Sequence, residues 1–203
     1  MGKNVAKFSL FAELEGLLAK EFDFLGKAVS DDECRYFMNW ILVEPVDAED
    51  PAKGLRAIST DGARLHIVEP LHKSTEIYGV TSGHYKVVKS GRTVTQIARV
   101  SDESEKDCGT FPNWRRVMPE GEPKQVIDFQ GFTLKNDSRS VVLFRNTIAF
   151  FRAFPEAVVF NHHYLADLPV GFPWKCHYWA SNKGVKFVTN NMTAIIMPLS
   201  MEN

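Results

Sequence analysis

Apolar residues recur at spacings of three and four through Phe11, Leu14, Leu18, Phe22 and Leu25, which predicts an amphipathic helix over residues 9–25. Ser9 stands where such a helix takes its cap, and Gly26 where it stops. Residues 36–44 mix aromatic and β-branched side chains and read as a strand. Two further strand-like runs, 55–58 and 66–68, flank Ser59-Thr60-Asp61-Gly62-Ala63-Arg64-Leu65. An Asp-Gly pair between such runs predicts a hairpin, because a two-residue primed turn needs positive φ at its centre. Residues 70–83 are rich in turn formers and 85–88 form a short strand. A second helix is predicted over 92–100, with Val94, Ile97 and Ala98 on one face. The acidic, polar stretch 101–109 is expected to be exposed.

Pro119-Glu120-Gly121-Glu122-Pro123 concentrates turn formers and is the expected linker, dividing the chain into 1–119 and 120–203. Strands dominate beyond it, at 126–134, 140–144, 147–153 and 157–160. Asn161 can then cap a short helix reaching Leu168. Three closing strands are expected at 174–179, 185–189 and 193–199, with Asn182-Lys183-Gly184 turning between the first two.

The 203 residues are 44% hydrophobic and 24% charged, enough for one large core or two small ones. Fifteen phenylalanines favour sheet faces packed with aromatic rings. A net charge of −1 argues against a broad basic surface for nucleic acid, though a local basic stripe is compatible with it. Cys34, Cys108 and Cys176 lie far apart with no metal-ligand spacing, the usage of reduced thiols in a cytoplasmic protein. The first residues lack the apolar core of a signal peptide, and no run is long enough for a membrane span.

Only His162-His163, with Asp167 nearby, and Cys176-His177 are tempting as catalytic or metal-binding groups. Adjacent side chains diverge on a helix or a strand, so neither pair makes a good metal fork. No nucleophile elbow, phosphate loop or HExxH pattern occurs. A non-catalytic protein without a cofactor is expected.

The Thr60-to-Leu65 hairpin has company in Phe111-Pro112-Asn113-Trp114-Arg115-Arg116-Val117-Met118-Pro119 and Ile195-Ile196-Met197-Pro198-Leu199. Together these segments resemble the bacterial replicative sliding clamp, the beta subunit of DNA polymerase III. Residues 32–44, with their Arg35-Tyr36-Phe37-Met38-Asn39 core, resemble the first strand of that family's middle domain. Val159-Phe160-Asn161-His162-His163-Tyr164-Leu165 resembles the strand-to-helix entry of its last domain. Nothing in the chain corresponds to the family's first domain. Some strands before Phe111 and the opening helix of the last domain are also missing, so the resemblance is to a shortened, two-domain relative.

The resemblance implies an α+β fold of two DNA-clamp-like domains, each an antiparallel sheet with one or two helices packed on one face. Residues 1–119 would be middle-domain-like, and 120–203 a compacted C-terminal domain. It also implies an apolar groove for short peptide motifs of replication and repair partners. The implied lining is Met38, Thr60, Gly62, Ala63, Arg64, Leu65, Pro112, Arg116, Val117, Ile195, Met197, Pro198 and Leu199. Arg64 and Arg116 would hydrogen-bond peptide carbonyls or carboxylates at the rim, while Ser200 replaces a usually basic residue. In any β-rich domain, however, Leu65, Val117, Ile195 and Met197 would also suit a core, and either arginine a structural ion pair. For double-stranded DNA the candidates are Lys86, Lys89, Arg92 and Arg99 around the second helix, since the first carries mixed charge. Six-domain rings in the family imply a head-to-tail homotrimer acting in polymerase processivity. The alternative is a monomeric or non-encircling peptide-binding accessory protein.

Overall fold

The computed structural model describes residues 8–32, 34–91, 93–107, 109–130, 147–148, 152, 160–169, 171–179 and 183–198. The chain divides into two units, Met1–Gly62 with His66–Asn113, and Ala63–Leu65 with Trp114–Asn203. Its fold class is α+β, built on antiparallel strands.

In unit 1 the leading amphipathic stretch is two elements rather than one helix, β1 (Phe8–Glu15) and α1 (Gly16–Gly26). Gly16 makes the change of direction at φ +64°, in the left-handed region that glycine enters at little cost. Leu14, Leu18, Phe22 and Leu25 are all fully buried, so the apolar face is real, but its first member is supplied by a strand. Phe11, expected on the same face, is 56% exposed. Ser9 therefore lies inside β1 and not at the start of the helix, whereas Gly26 does close the helix.

The strands β2 (Ile41–Pro45), β3 (Leu55–Thr60), β4 (Arg64–Val68), β5 (Gly83–Ser90) and β6 (Val94–Val100) complete this sheet, in the order β1-β6-β5-β2-β3-β4. Residues Tyr36–Met38 form a 3-10 turn, so the strand expected over 36–44 begins only at Ile41. The second expected helix is β6. This strand itself carries buried residues on both faces, Thr95 and Ile97 on one and Ala98 and Val100 on the other, although Phe11 and Lys86 beside Ala98 are exposed, and that hides the period of two. A short helix, α2 (Asp102–Asp107), follows it.

Helix α1 packs on the sheet largely through apolar area. Phe22 meets Tyr85 edge-on at 6.2 Å between ring centroids. Two buried hydroxyls fix the helix further: Thr95 donates to the Ala19 carbonyl at 3.1 Å and Ser59 to the Leu25 carbonyl at 2.7 Å. His66 stacks on Phe24 at 4.0 Å, and its Nδ1 donates to the Phe24 carbonyl at 2.7 Å.

The hairpin is present, but Asp61–Ala63 form a three-residue link and not a two-residue primed turn. Gly62 at φ +90° supplies its positive φ, and among the described residues no non-glycine residue has a positive φ.

In unit 2, β7 (Gln125–Gln130), β8 (Pro173–Tyr178), β9 (Val185–Thr189) and β10 (Met192–Ile196) form an antiparallel sheet in the order β10-β9-β8-β7. Alternation along β8 sends Trp174, Cys176 and Tyr178 into the core, where Phe187, Met192, Ala194 and Leu165 are also buried. Asn161 caps the 3-10 helix His162–Asp167 as expected, its side chain accepting from the His163 amide at 3.1 Å. Thr147, Ile148 and Arg152 are helical, where a strand was expected over 147–153. The strands expected at 140–144 and, apart from Phe160, at 157–160 lie outside the described residues, as do Cys108 and Asn182. Among the described residues no helix is long and apolar enough to cross a membrane.

Candidate functional site

The candidate groove residues distribute over both units. Unit 1 holds Met38 and Thr60, both buried, together with Gly62 and the half-buried Pro112. The Gly62 amide donates to the Thr60 hydroxyl at 3.1 Å, which holds the turn in shape. Unit 2 holds Ala63, Arg64, Leu65, Arg116, Val117, Ile195, Met197 and Pro198. Leu199 and Ser200 lie outside the described residues.

Within unit 2 the hairpin's return strand reaches the end of β10, the Met197 amide donating to the Ala63 carbonyl at 2.8 Å. Leu65 and Ile195, at 1% and 0% exposed, are core residues here. Met197 and Pro198 are half-buried and Val117 is exposed, so these three are the apolar candidates with accessible surface. Arg116 is exposed on the 3-10 turn Trp114–Val117, while its neighbour Arg115 covers the Trp114 ring at 4.3 Å.

Arg64 has a different environment. Its guanidinium is ion-paired to Asp167, the last residue of the His162–Asp167 helix, and lies over the Tyr164 ring at 4.3 Å from the centroid. The Asp167 side chain is 2% exposed and that of Arg64 14%. Two residues outside the candidate set, Tyr164 and Asp167, thus hold one inside it. Sequence spacing offered no sign of this pairing, because 103 positions separate Arg64 from Asp167. Gly184 is a third such residue. A Cβ there would lie 2.7 Å from Ile195 Cγ2 and 3.3 Å from Met197 Sδ, so the absence of a side chain makes room for both.

The DNA candidates fall on strands rather than on a helix. Lys86 and Lys89 are exposed on β5, and Arg99 on β6 ion-pairs with Asp102 and donates to the Ser82 carbonyl at 3.3 Å. Arg92 lies outside the described residues. On α1 the exposed residues include Leu17 and Lys20, and Lys27 pairs with Asp23 at 3.2 Å. An open cleft of about 540 Å³ between α1 and β6 is lined by Glu15, Lys20 and Asp23 among others, a mixed charge that selects no ligand.

Cys176 and His177 point to opposite faces of β8, one buried and one partly exposed, and so cannot act together. Burial pushes the Cys176 thiol far above its ordinary value, and Cys34 is a free, exposed thiol. Burial, then the nearby Lys186 and Lys175 ammonium groups, push His177 below the usual imidazole value. Among the described residues no three His, Cys, Asp or Glu side chains are grouped to hold a metal.

No protein-family model matches the chain, and no curated protein matches it in sequence. Solved structures do match. The DNA polymerase III beta chain of Streptococcus pneumoniae superposes with a TM-score of 0.56 at 14% identity, over 99% of this chain and 67% of that one. Caulobacter crescentus pol III beta gives 0.54 at 17% identity, over 99% and 68%. The Thermotoga maritima beta subunit gives 0.54 at 15% identity, over 100% and 68%. The chain spans about two thirds of each of these subunits. Over its described length, this protein has the fold of the DNA polymerase III beta sliding clamp.

Proposed function

We propose that this protein is a non-catalytic, sliding-clamp-like tether that receives short apolar peptide motifs of replication or repair partners. In this reading unit 1 plays the part of a clamp middle domain and unit 2 that of a compacted C-terminal domain. The observation that carries it is the return of Ala63–Leu65 to the end of β10, where Met197 bonds Ala63, within a chain matched over nearly its whole length by clamp structures. Met197 and Val117 offer adaptable apolar surface, and the exposed Arg116 offers a fork for peptide carbonyls or carboxylates. A partner strand would insert one or two apolar anchors. Such a tether works in the cytoplasm, on double-stranded DNA held without sequence readout. Two domains per chain call for three chains to close a six-domain ring.

The mixed charge of α1 and the engagement of Arg99 with Asp102 favour a second reading, a module that keeps the groove without encircling DNA. One pair of measurements decides between them. Light scattering on the full chain at micromolar concentration should give the mass of a trimer and, for the second reading, of a monomer. Fluorescence anisotropy with a clamp-binding peptide should give saturable binding in both cases. Binding that Met197→Ala and Val117→Ala leave unchanged would overturn the groove itself.

A further inference from the structure

We propose that Arg64 is a positioning residue of the groove and not its receptor for charge, leaving Arg116 to read any acidic group on the incoming peptide. This inference rests on the groove reading above.

The guanidinium of Arg64 is already engaged within unit 2. Asp167 meets it from the end of the His162–Asp167 helix, and the Tyr164 ring covers one of its faces at 4.3 Å. Asp167 is 2% exposed, so its carboxylate has little water to turn to and its ion pair with Arg64 offsets part of that desolvation. A peptide carboxylate would have to displace a partner already in place and nearly dry, and would break the ion pair that Asp167 makes with Arg64. That exchange is unfavourable for an exposed, well-solvated peptide group.

What the pair does instead is mechanical. Arg64 stands between Ala63, whose carbonyl accepts from the Met197 amide, and the buried Leu65. Tyr164 and Asp167 sit on a turn anchored by Leu165 and Leu168, which are 0% and 4% exposed. The ion pair therefore ties the strand carrying the groove wall to an anchored turn and fixes where Met197 and Pro198 stand. A preformed wall lowers the ordering cost of binding for every peptide with suitable apolar anchors, whatever its charge. Arg116 differs: it is exposed on the Trp114–Val117 turn and open to an incoming carboxylate.

The test uses the full chain and two short fluorescein-labelled peptides. Both carry leucine and phenylalanine anchors; one has a flanking glutamate and the other glutamine. Wild-type protein should bind both and prefer the glutamate peptide. Arg64→Met and Asp167→Asn should each weaken both peptides by about tenfold and leave their ratio intact, as loss of preorganisation requires. The double variant Arg64→Met/Asp167→Leu, which replaces the ion pair by apolar contact, should recover most of the loss. Arg64→Lys, keeping the charge, should fall between, and far-ultraviolet circular dichroism should show each variant folded. Arg116→Gln should abolish the preference with little effect on the glutamine peptide. Loss of the preference in Arg64→Met, or normal binding by Asp167→Asn, would overturn the inference while leaving the groove standing. Failure of the wild-type protein to bind either peptide would remove the groove, and this role of Arg64 with it.

Discussion

Unit 1 covers its sheet with an eleven-residue helix, α1, and the attachment is mostly area: Leu18, Phe22, Phe24 and Leu25 are all fully buried. The helix His162–Asp167 in unit 2 has six residues, buries Leu165 and Asp167, and is tied by an ion pair and a ring contact to Arg64. Apolar burial is strong but undirected, so it holds an element without fixing it to a fraction of an ångström. A buried ion pair is directional, and breaking it is severe. The long element can rely on the first; the short one cannot bury enough and uses the second. That contrast places the finely set geometry in unit 2, beside the accessible candidates Met197 and Pro198.

The comparison predicts unequal responses to mutation. The largest should come from Phe22→Ala, which empties the interface of α1 and removes the edge contact with Tyr85, costing about 4 kcal/mol. Urea titration followed by tryptophan fluorescence would measure it. A loss below about 1 kcal/mol would mean that α1 contributes far less than its burial implies. Gly184→Ala should cost about 1–3 kcal/mol, because its new methyl group would press on Ile195 and Met197. It should also weaken peptide binding, whereas Phe22→Ala, at temperatures where the protein stays folded, should not. Equal effects on binding would erase the distinction between the units.

The smallest effect concerns His177. Its folded-state value is depressed, so the native form favours neutral imidazole. As pH falls through about 6.5 the unfolded chain gains a proton that the native state resists, and stability declines. Above that range the group contributes no pH dependence. Thermal melts from pH 8 to 5 should show this loss in the wild type and a smaller one in His177→Gln. An unchanged profile would assign the slope to other groups.

Where one side-chain class and one period dominate, pattern and structure agree. The strand over 185–189 coincides with β9, Asn161 caps its helix, and the Asp61-Gly62 hairpin is present. Where two signals overlap, the two part. Leu14 belongs equally to the helical face that continues through Leu18 and to the alternation of β1, and only Gly16 at positive φ separates the two. Val94, Ile97 and Ala98 fit a helix because their strand carries buried residues on both faces, Ile97 on one and Ala98 on the other. In the site, Leu65 is legible as an apolar strand residue near a turn and a structural ion pair is open to either arginine, whereas Asp167 as the partner of Arg64 is not legible.

Local periodicity, turn chemistry and short ordered motifs are enough for the α+β class, most strand positions, the hairpin and the likeness to a clamp. Which candidates keep accessible surface and which arginine is engaged follow from the folded chain alone. Leu65 and Ile195 are buried, Met197 is half-buried, and Asp167 reaches Arg64 across 103 positions of chain. Such facts depend on which distant segments meet, and a pattern read residue by residue carries no record of that meeting.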